Sequence, residues 1–276
     1  MLMQTDGERV VLEAPGAPDH GWLDAALDEA YGAGTALVVW PVAVGDWSAR
    51  RLAWESGFRV SGTVPGWFGP SVGERARRDA WLLTLGASDP REPATTWLDC
   101  PVLEGDLVRL RPWRAEDAPR IVEACSEERT AYWLGRLPVP YTLADAEAYL
   151  EDRRGVLADA TAVGWAVADP ATDELLGSLA LFDLVAGRSA EVGYWTHPAA
   201  RGRGVMTAAV RLAIGHAFGA LGLGRLAAFA AVGNTASRHV IETCGFTYIG
   251  TERRSVLVRD GLADHACYDL LSTDLT

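Results

Sequence analysis

Residues 44–63, VGDWSARRLAWESGFRVSGT, align without a gap on residues 232–251, VGNTASRHVIETCGFTYIGT, in a chain of 276 residues. Val44 matches Val232, Gly45 matches Gly233, Arg50 matches Arg238, Gly57-Phe58 match Gly245-Phe246, and Gly62-Thr63 match Gly250-Thr251. The flanks agree in kind: ALVVW precedes the first copy where RLAAF precedes the second, and AWLLTL follows it where CYDLL follows the second. A duplicated strand-helix-strand unit requires that whatever the second half folds into, the first half is built on part of the same plan.

The two copies meet at GASDPREPATT, residues 86–96, where Pro, Ser, Thr and charge replace periodic apolar residues as in a linker. Domains are therefore expected at 1–86 and 97–276. The second opens with VRLRPWRAEDAP: a short alternating strand, Val108 and Leu110 inward against Arg109 and Arg111, then a helix start at Ala115–Pro119. A helix at 142–154 with Thr142 as N-cap follows, then strands at 164–169, 175–184 and 190–197, a helix at 207–219, a strand at 225–232, a helix at 235–244 and two closing strands. That order describes a mixed α/β fold.

Between the strand at 190–197 and the next helix stands HPAARGRGV. A glycine loop entering a helix aims several backbone N–H groups at one point, where the helix dipole adds about half a positive charge, so an anion binds there. Gly202 and Gly204 permit the main chain to close on a phosphate, and Arg201 and Arg203 add positive charge. An ordinary solvated turn is the competing explanation. No Lys-Ser/Thr follows, so this is no P-loop, and the GxGxxG pattern is absent. The first copy has APGAPDHG, residues 14–21, at the corresponding place, without the arginine-glycine loop.

The combination Glu191-Val-Gly-Tyr-Trp, Arg201-Gly-Arg-Gly-Val-Met-Thr, Asn234-Thr-Ala-Ser and Gly245-Phe246 resembles the GNAT superfamily of acetyl-CoA-dependent N-acetyltransferases, and within it the RimJ/RimL-type branch, over residues 104–273. The resemblance implies a mostly antiparallel GNAT-type sheet flanked by helices in a catalytic domain at 97–276, preceded by a smaller, truncated GNAT-like domain without catalysis. It implies that acetyl-CoA lays its pyrophosphate on Arg201, Gly202, Arg203, Gly204, Val205, Met206 and Thr207, and its pantetheine arm on the main chain of Tyr194, Trp195 and Thr196. Asn234 is then an anchor for coenzyme A, although capping a helix, as its repeat partner Asp46 would, also accounts for it. Two positions depart from the family pattern. Met206 fits the loop only through its backbone, and Ile241 stands where many members keep a tyrosine acid.

Direct acyl transfer needs a neutral amine, a polarised carbonyl and protonation of the thiolate. Glu191, alone on an apolar strand, is the candidate base, unless it merely faces solvent; Ser237 is the candidate acid, unless it merely caps its helix. Deprotonating a lysine-like amine at pH 7.4 costs about 4 kcal/mol and an α-amine about 0.5 kcal/mol, which favours an α-amine or another amine of lowered pKa. Tyr132, Trp133, Trp165 and Phe182 are the candidate acceptor-site aromatics, alongside Tyr141, unless they are core. A catalytically impaired acyl-CoA binder is the alternative that Met206 and Ile241 leave open.

A formal charge of −12 excludes the basic footprint of a nucleic-acid binder and suits a cationic partner. All 25 basic residues other than histidine are arginine, which base composition explains as well as avoidance of self-acetylation. Cys100, Cys125, Cys244 and Cys267 have neither metal nor redox spacing, and no metal is expected. No apolar segment reads as a leader or a membrane span. The expectation is a cytoplasmic monomer or homodimer acting on a peptide or small-molecule amine.

Overall fold

The computed structural model describes residues 2–4, 8–14, 16–70 and 76–275; Pro15 of the 14–21 stretch and residues 71–75 of the first domain lie outside them. The chain divides into two compact units, Met1–Thr96 and Trp97–Thr276.

The first unit carries strands β1 (Leu2–Gln4), β2 (Arg9–Leu12), β3 (Leu37–Ala43), β4 (Arg59–Phe68) and β5 (Arg78–Gly86) in the order β1-β2-β3-β5-β4, with helices α1 (His20–Gly32) and α2 (Trp47–Glu55). Only β2 and β3 run parallel. Its core gathers Leu23 and Leu27 of α1 and Ala49, Leu52 and Ala53 of α2 with Val38, Trp40, Leu83 and Leu85 of the sheet. Each such large aliphatic or aromatic side chain contributes about 1.5–3 kcal/mol on burial. The 86–96 segment does not hang free: Trp54 donates to the Thr95 carbonyl at 3.0 Å, and Arg91 pairs with Asp28 at 2.7 Å.

The second unit adds β6 (Leu103–Glu104), β7 (Arg109–Arg111), α3 (Ala118–Ser126), α4 (Glu128–Trp133), α5 (Leu143–Ala158), β8 (Val163–Ala168), β9 (Leu175–Val185), β10 (Ser189–Thr196), α6 (Val205–Gly219), β11 (Arg225–Ala231), α7 (Thr235–Thr243), β12 (Thr247–Val258) and β13 (Gly261–Leu271). The sheet runs β12-β13-β11-β10-β9-β8-β7-β6, antiparallel except between β10 and β11. Helix α6 buries Met206, Ala209, Val210 and Ala213 in one core with Leu179, Leu181, Val192 and Leu226, while Ala118, Ile121, Cys125 and Ala146 of α3 and α5 join Tyr141, Ala166 and Leu175 in another. Thr142 caps α5, with Asp145 reciprocating.

The repeat is structural. The order β1-β2-β3-β5-β4 reproduces β9-β10-β11-β13-β12, including the single parallel pair. Strands β3 and β11 both have 7 residues, helices α2 and α7 both have 9, and their N-caps share backbone angles: φ −83°, ψ 76° at Asp46 and φ −84°, ψ 70° at Asn234. The copies part before the first helix. Asp19 caps α1, accepting from the Trp22 N–H at 2.8 Å, so that helix start already holds a carboxylate. Helix α6 instead begins after Gly204, with no side-chain cap.

One reading needs correction. Arg111 does not face outward from its strand; it is 3% exposed. Its guanidinium donates to both carboxylate oxygens of Asp117 at 2.8 Å and to Asp173 at 2.9 Å, which ties β7 to the start of α3 and to the β8–β9 hairpin. Alternation fails here because two carboxylates, one just beyond the strand and one 62 residues away in a hairpin, solvate the charge. Asp117→Ala strands a buried guanidinium and is expected to lower stability by about 3 kcal/mol in denaturant unfolding; a loss under about 1 kcal/mol would contradict this account.

Candidate active site

Strands β10 and β11 are paired only from Ser189–Val192 to Arg225–Ala228. Beyond that, β10 runs on to Thr196 against β9 alone, and β11 runs on to Ala231 against β13 alone. Just before the split β9 bulges opposite Ala190, with Asp183 at φ 45°; a bulge bends a strand and raises its twist. The facing edges of Gly193–Thr196 and Phe229–Ala231 therefore lack a strand partner, and their main-chain groups are left for a ligand.

On one side of the split lies a cleft of about 520 Å³, lined by Tyr194, Trp195 and Thr196, by Arg201, Gly202 and Gly204–Thr207, and by Asn234 and Ser237. Gly202 and Gly204 both have φ 72°, a left-handed conformation that side-chain-bearing residues rarely adopt. Two such turns before a 15-residue helix leave its first N–H groups facing the cleft. Val205 and Met206 point their side chains into the core, so only their backbone is available to a ligand, as the sequence requires of Met206. Thr207 lines the cleft.

The two arginines differ from expectation. Arg201 donates to both oxygens of Glu127, at 3.2 and 2.7 Å, and to the Thr130 hydroxyl at 2.7 Å. Its charge is already matched, and it fastens the loop to α4. Arg203 is exposed and does not line the cleft. The Arg201 hydrogen bonds, opposed by burial and aided by the Thr130 N–H and hydroxyl, hold the Glu127 carboxyl down at about 2. Glu127 was invisible as a partner in the sequence, because 74 residues separate it from Arg201.

On the other side a cavity of about 540 Å³ is lined by Glu191, Phe182, Tyr141, Tyr149, Ser178 and Trp133. Glu191 is half-buried; burial, then the charge of Asp183, raises its carboxyl above the ordinary value, the shift wanted in a base working near neutrality. Arg153 lies 5.0 Å from the Tyr149 ring centre and 5.5 Å from that of Phe182, stiffening this wall. Tyr149, whose hydroxyl is 3.0 Å from Ser178, carries no signal in the sequence beyond its helical position.

Two expected acceptor residues are elsewhere. Trp165 is fully buried, donating to the Pro101 carbonyl at 2.8 Å with its ring edge-on to His216; it is core, since the strand carrying it is covered on both faces. Tyr132 lines neither cavity and packs edge-on against Trp133, which lines both. The Ser237 hydroxyl is 3.1 Å from that of Tyr194, which also donates to the Ser237 carbonyl at 3.0 Å. Asn234 caps α7, accepting from the Ser237 N–H at 3.2 Å, while it also lines the cleft. Ile241 is buried core. Among the described residues no cluster of His, Cys, Asp and Glu could hold a metal ion, and no helix is long and apolar enough to cross a membrane.

A family model described as an acetyltransferase (GNAT) domain matches residues 108–247, within the second unit. The chain is 34% identical over 180 residues to the "Putative ribosomal N-acetyltransferase YdaF" of Bacillus subtilis, spanning 63% of this chain and 96% of that protein. It is 28% identical over 178 residues to the "Probable N-acetyltransferase YjcK" of the same organism, spanning 63% and 98%. Among solved structures it is similar to RimJ of Mycobacterium smegmatis in complex with CoA-disulfide, at 25% identity and a TM-score of 0.58 over 64% of this chain and 90% of that one. The chain belongs to the GNAT acetyltransferase family. It is an N-acetyltransferase that takes its acetyl group from acetyl-CoA and passes it to an amine.

Glu127 gives the site a pH signature. A carboxyl held at about 2 against an ordinary 4.5 stabilises the fold fully above pH 4.5, and loses that contribution as pH falls through 4.5 towards 2. The Tm difference between wild type and Glu127→Gln should be constant near neutrality and narrow below pH 4.5. A difference independent of pH would show that the Arg201 pairing contributes nothing to the fold.

Proposed function

We propose that the second unit acetylates an α-amine at the N-terminus of a basic peptide or protein, by direct attack within a ternary complex. The observation that carries this is the meeting of two cavities at one strand split, the glycine loop in the first and Glu191 in the second. The first would seat the pyrophosphate on the N–H groups of Gly202–Thr207, with Arg201 shaping the loop through Glu127 and the pantetheine arm on the open edge of Tyr194–Thr196. The second would take the amine between Phe182, Trp133 and Tyr141. A protein substrate is supported by the ribosomal wording in YdaF's name and by the charge of −12, which attracts a basic partner.

Glu191, through water, removes the ammonium proton; an α-ammonium near pKa 7.8 demands little of it. The amine attacks the thioester carbonyl, whose oxyanion is met by a main-chain N–H at Tyr194 or Trp195. The Ser237 hydroxyl steadies the departing sulfur with a hydrogen bond as negative charge builds there, keeping its own proton. Burial pushes the thiols of Cys125 and Cys244 up to about 11 and that of Cys100 to about 12, which disfavours a thiolate nucleophile and supports transfer without a covalent enzyme intermediate. The first unit is read as a non-catalytic copy. The Asp19 carboxylate at the start of its first helix would repel a phosphate where Gly204 would admit one.

Calorimetric titration with acetyl-CoA, on wild type and Gly204→Glu, tests the cradle: binding is expected in the first and lost in the second. Glu191→Gln should keep acetyl-CoA affinity within about threefold while kcat falls on the order of 10²-fold or more towards a peptide amine. An intact chain that binds acetyl-CoA but turns over no amine would favour the acyl-CoA binder instead.

A further inference from the structure

The acetyl carbon and the attacking nitrogen must meet where the two cavities join. Among the described residues, seven line both: Trp133, Leu134, Tyr194, Trp195, Phe229, Val256 and His265. The indoles only donate, and the Tyr194 hydroxyl is occupied with Ser237. His265 alone of the seven carries a nitrogen lone pair that is basic near neutrality.

His265 lies on β13 opposite Ala231 of β11 and Glu252 of β12, with its ring 5.2 Å from that of Phe229. Among the described residues its ring nitrogens have no hydrogen-bond partner. Half-buried and tilted by 35° against the Phe229 ring, the imidazole is oriented without being consumed by a structural bond.

Resting on the acetyltransfer reading above, the geometry points to His265 as a proton carrier that touches the reacting atoms. As the nitrogen–carbon bond forms and the carbon–sulfur bond breaks, the surplus proton on nitrogen passes to a ring nitrogen of His265. The imidazolium then gives it to the thiolate, so coenzyme A leaves as a thiol and His265 returns to neutral. Glu191 acts earlier, on the ammonium, from within the acceptor cavity. Burial lowers the His265 pKa from its usual value, with Glu252 opposing, which keeps the ring neutral and ready to accept. The other charged or titratable side chains lining the two cavities are Glu191, Arg136, Cys125, Tyr141 and Tyr149 on the acceptor side, Arg129, Arg201 and His239 on the coenzyme side, and Tyr194 on both.

The test is steady-state kinetics of the full chain with acetyl-CoA and a peptide amine, across pH, for wild type, His265→Gln and His265→Ala. Both variants should bind acetyl-CoA as wild type does in calorimetry, which also verifies folding. Both should lose kcat by on the order of 10²-fold, with the acid limb of kcat altered, and added imidazole should restore part of the rate to His265→Ala only. Unchanged kcat would overturn the proposal. So would a raised KM for the amine with an unaltered pH profile and no imidazole rescue, which would leave His265 as a wall of the site. A wild type without turnover would overturn the acetyltransfer reading, and this role with it, whereas an active wild type with unaffected variants would overturn the role of His265 alone.

Discussion

The unfinished pairing of β10 with β11 is the constraint on which the site depends. An interior strand pair that is satisfied for four residues and then diverges leaves backbone donors and acceptors without a strand partner. In a sheet otherwise continuous from β12 to β6 this is the place where an amide-rich chain can be received by main-chain hydrogen bonds. The bulge at Asp183 precedes the split, and its charge also faces Glu191. One irregularity thus bears on both the shape of the opening and the basicity of the carboxylate beside it.

The duplicated half differs from the second at the start of its first helix. Both copies place a helix after the strand that begins the parallel pair. In the first, the Asp19 carboxylate bonds a first-turn N–H and presents its own negative charge; in the second, two left-handed glycines leave the equivalent groups uncapped by any side chain. Asp46 and Asn234 remained interchangeable because capping needs only an oxygen acceptor, and both caps bond the N–H three residues on.

Much of this was legible in the sequence. The gapless repeat fixed the correspondence of β3 with β11 and α2 with α7, and the resemblance located the glycine loop and Glu191. What local pattern could not supply were partners remote along the chain. Arg111 reads as a solvent-facing strand residue because Asp173 lies far away in a hairpin. Arg201 reads as a free phosphate ligand because Glu127 belongs to another helix. Trp165 and Phe182 are alike as aromatics on strands, yet one is sealed between two layers and the other faces a cavity; only the layering of helices on the sheet distinguishes them. His265 carries no motif, and its place at the junction follows from strand register alone.

Acetyl-CoA is proposed to lie in the split between β10 and β11 and on the loop above it. Hydrogen exchange of backbone amides in the full chain, with and without saturating acetyl-CoA, reads this directly. New protection is expected in residues 193–196 and 202–207, with none gained in residues 16–20 of the first unit. Protection that appeared around α1 instead, or that left residues 193–196 unaffected, would contradict it.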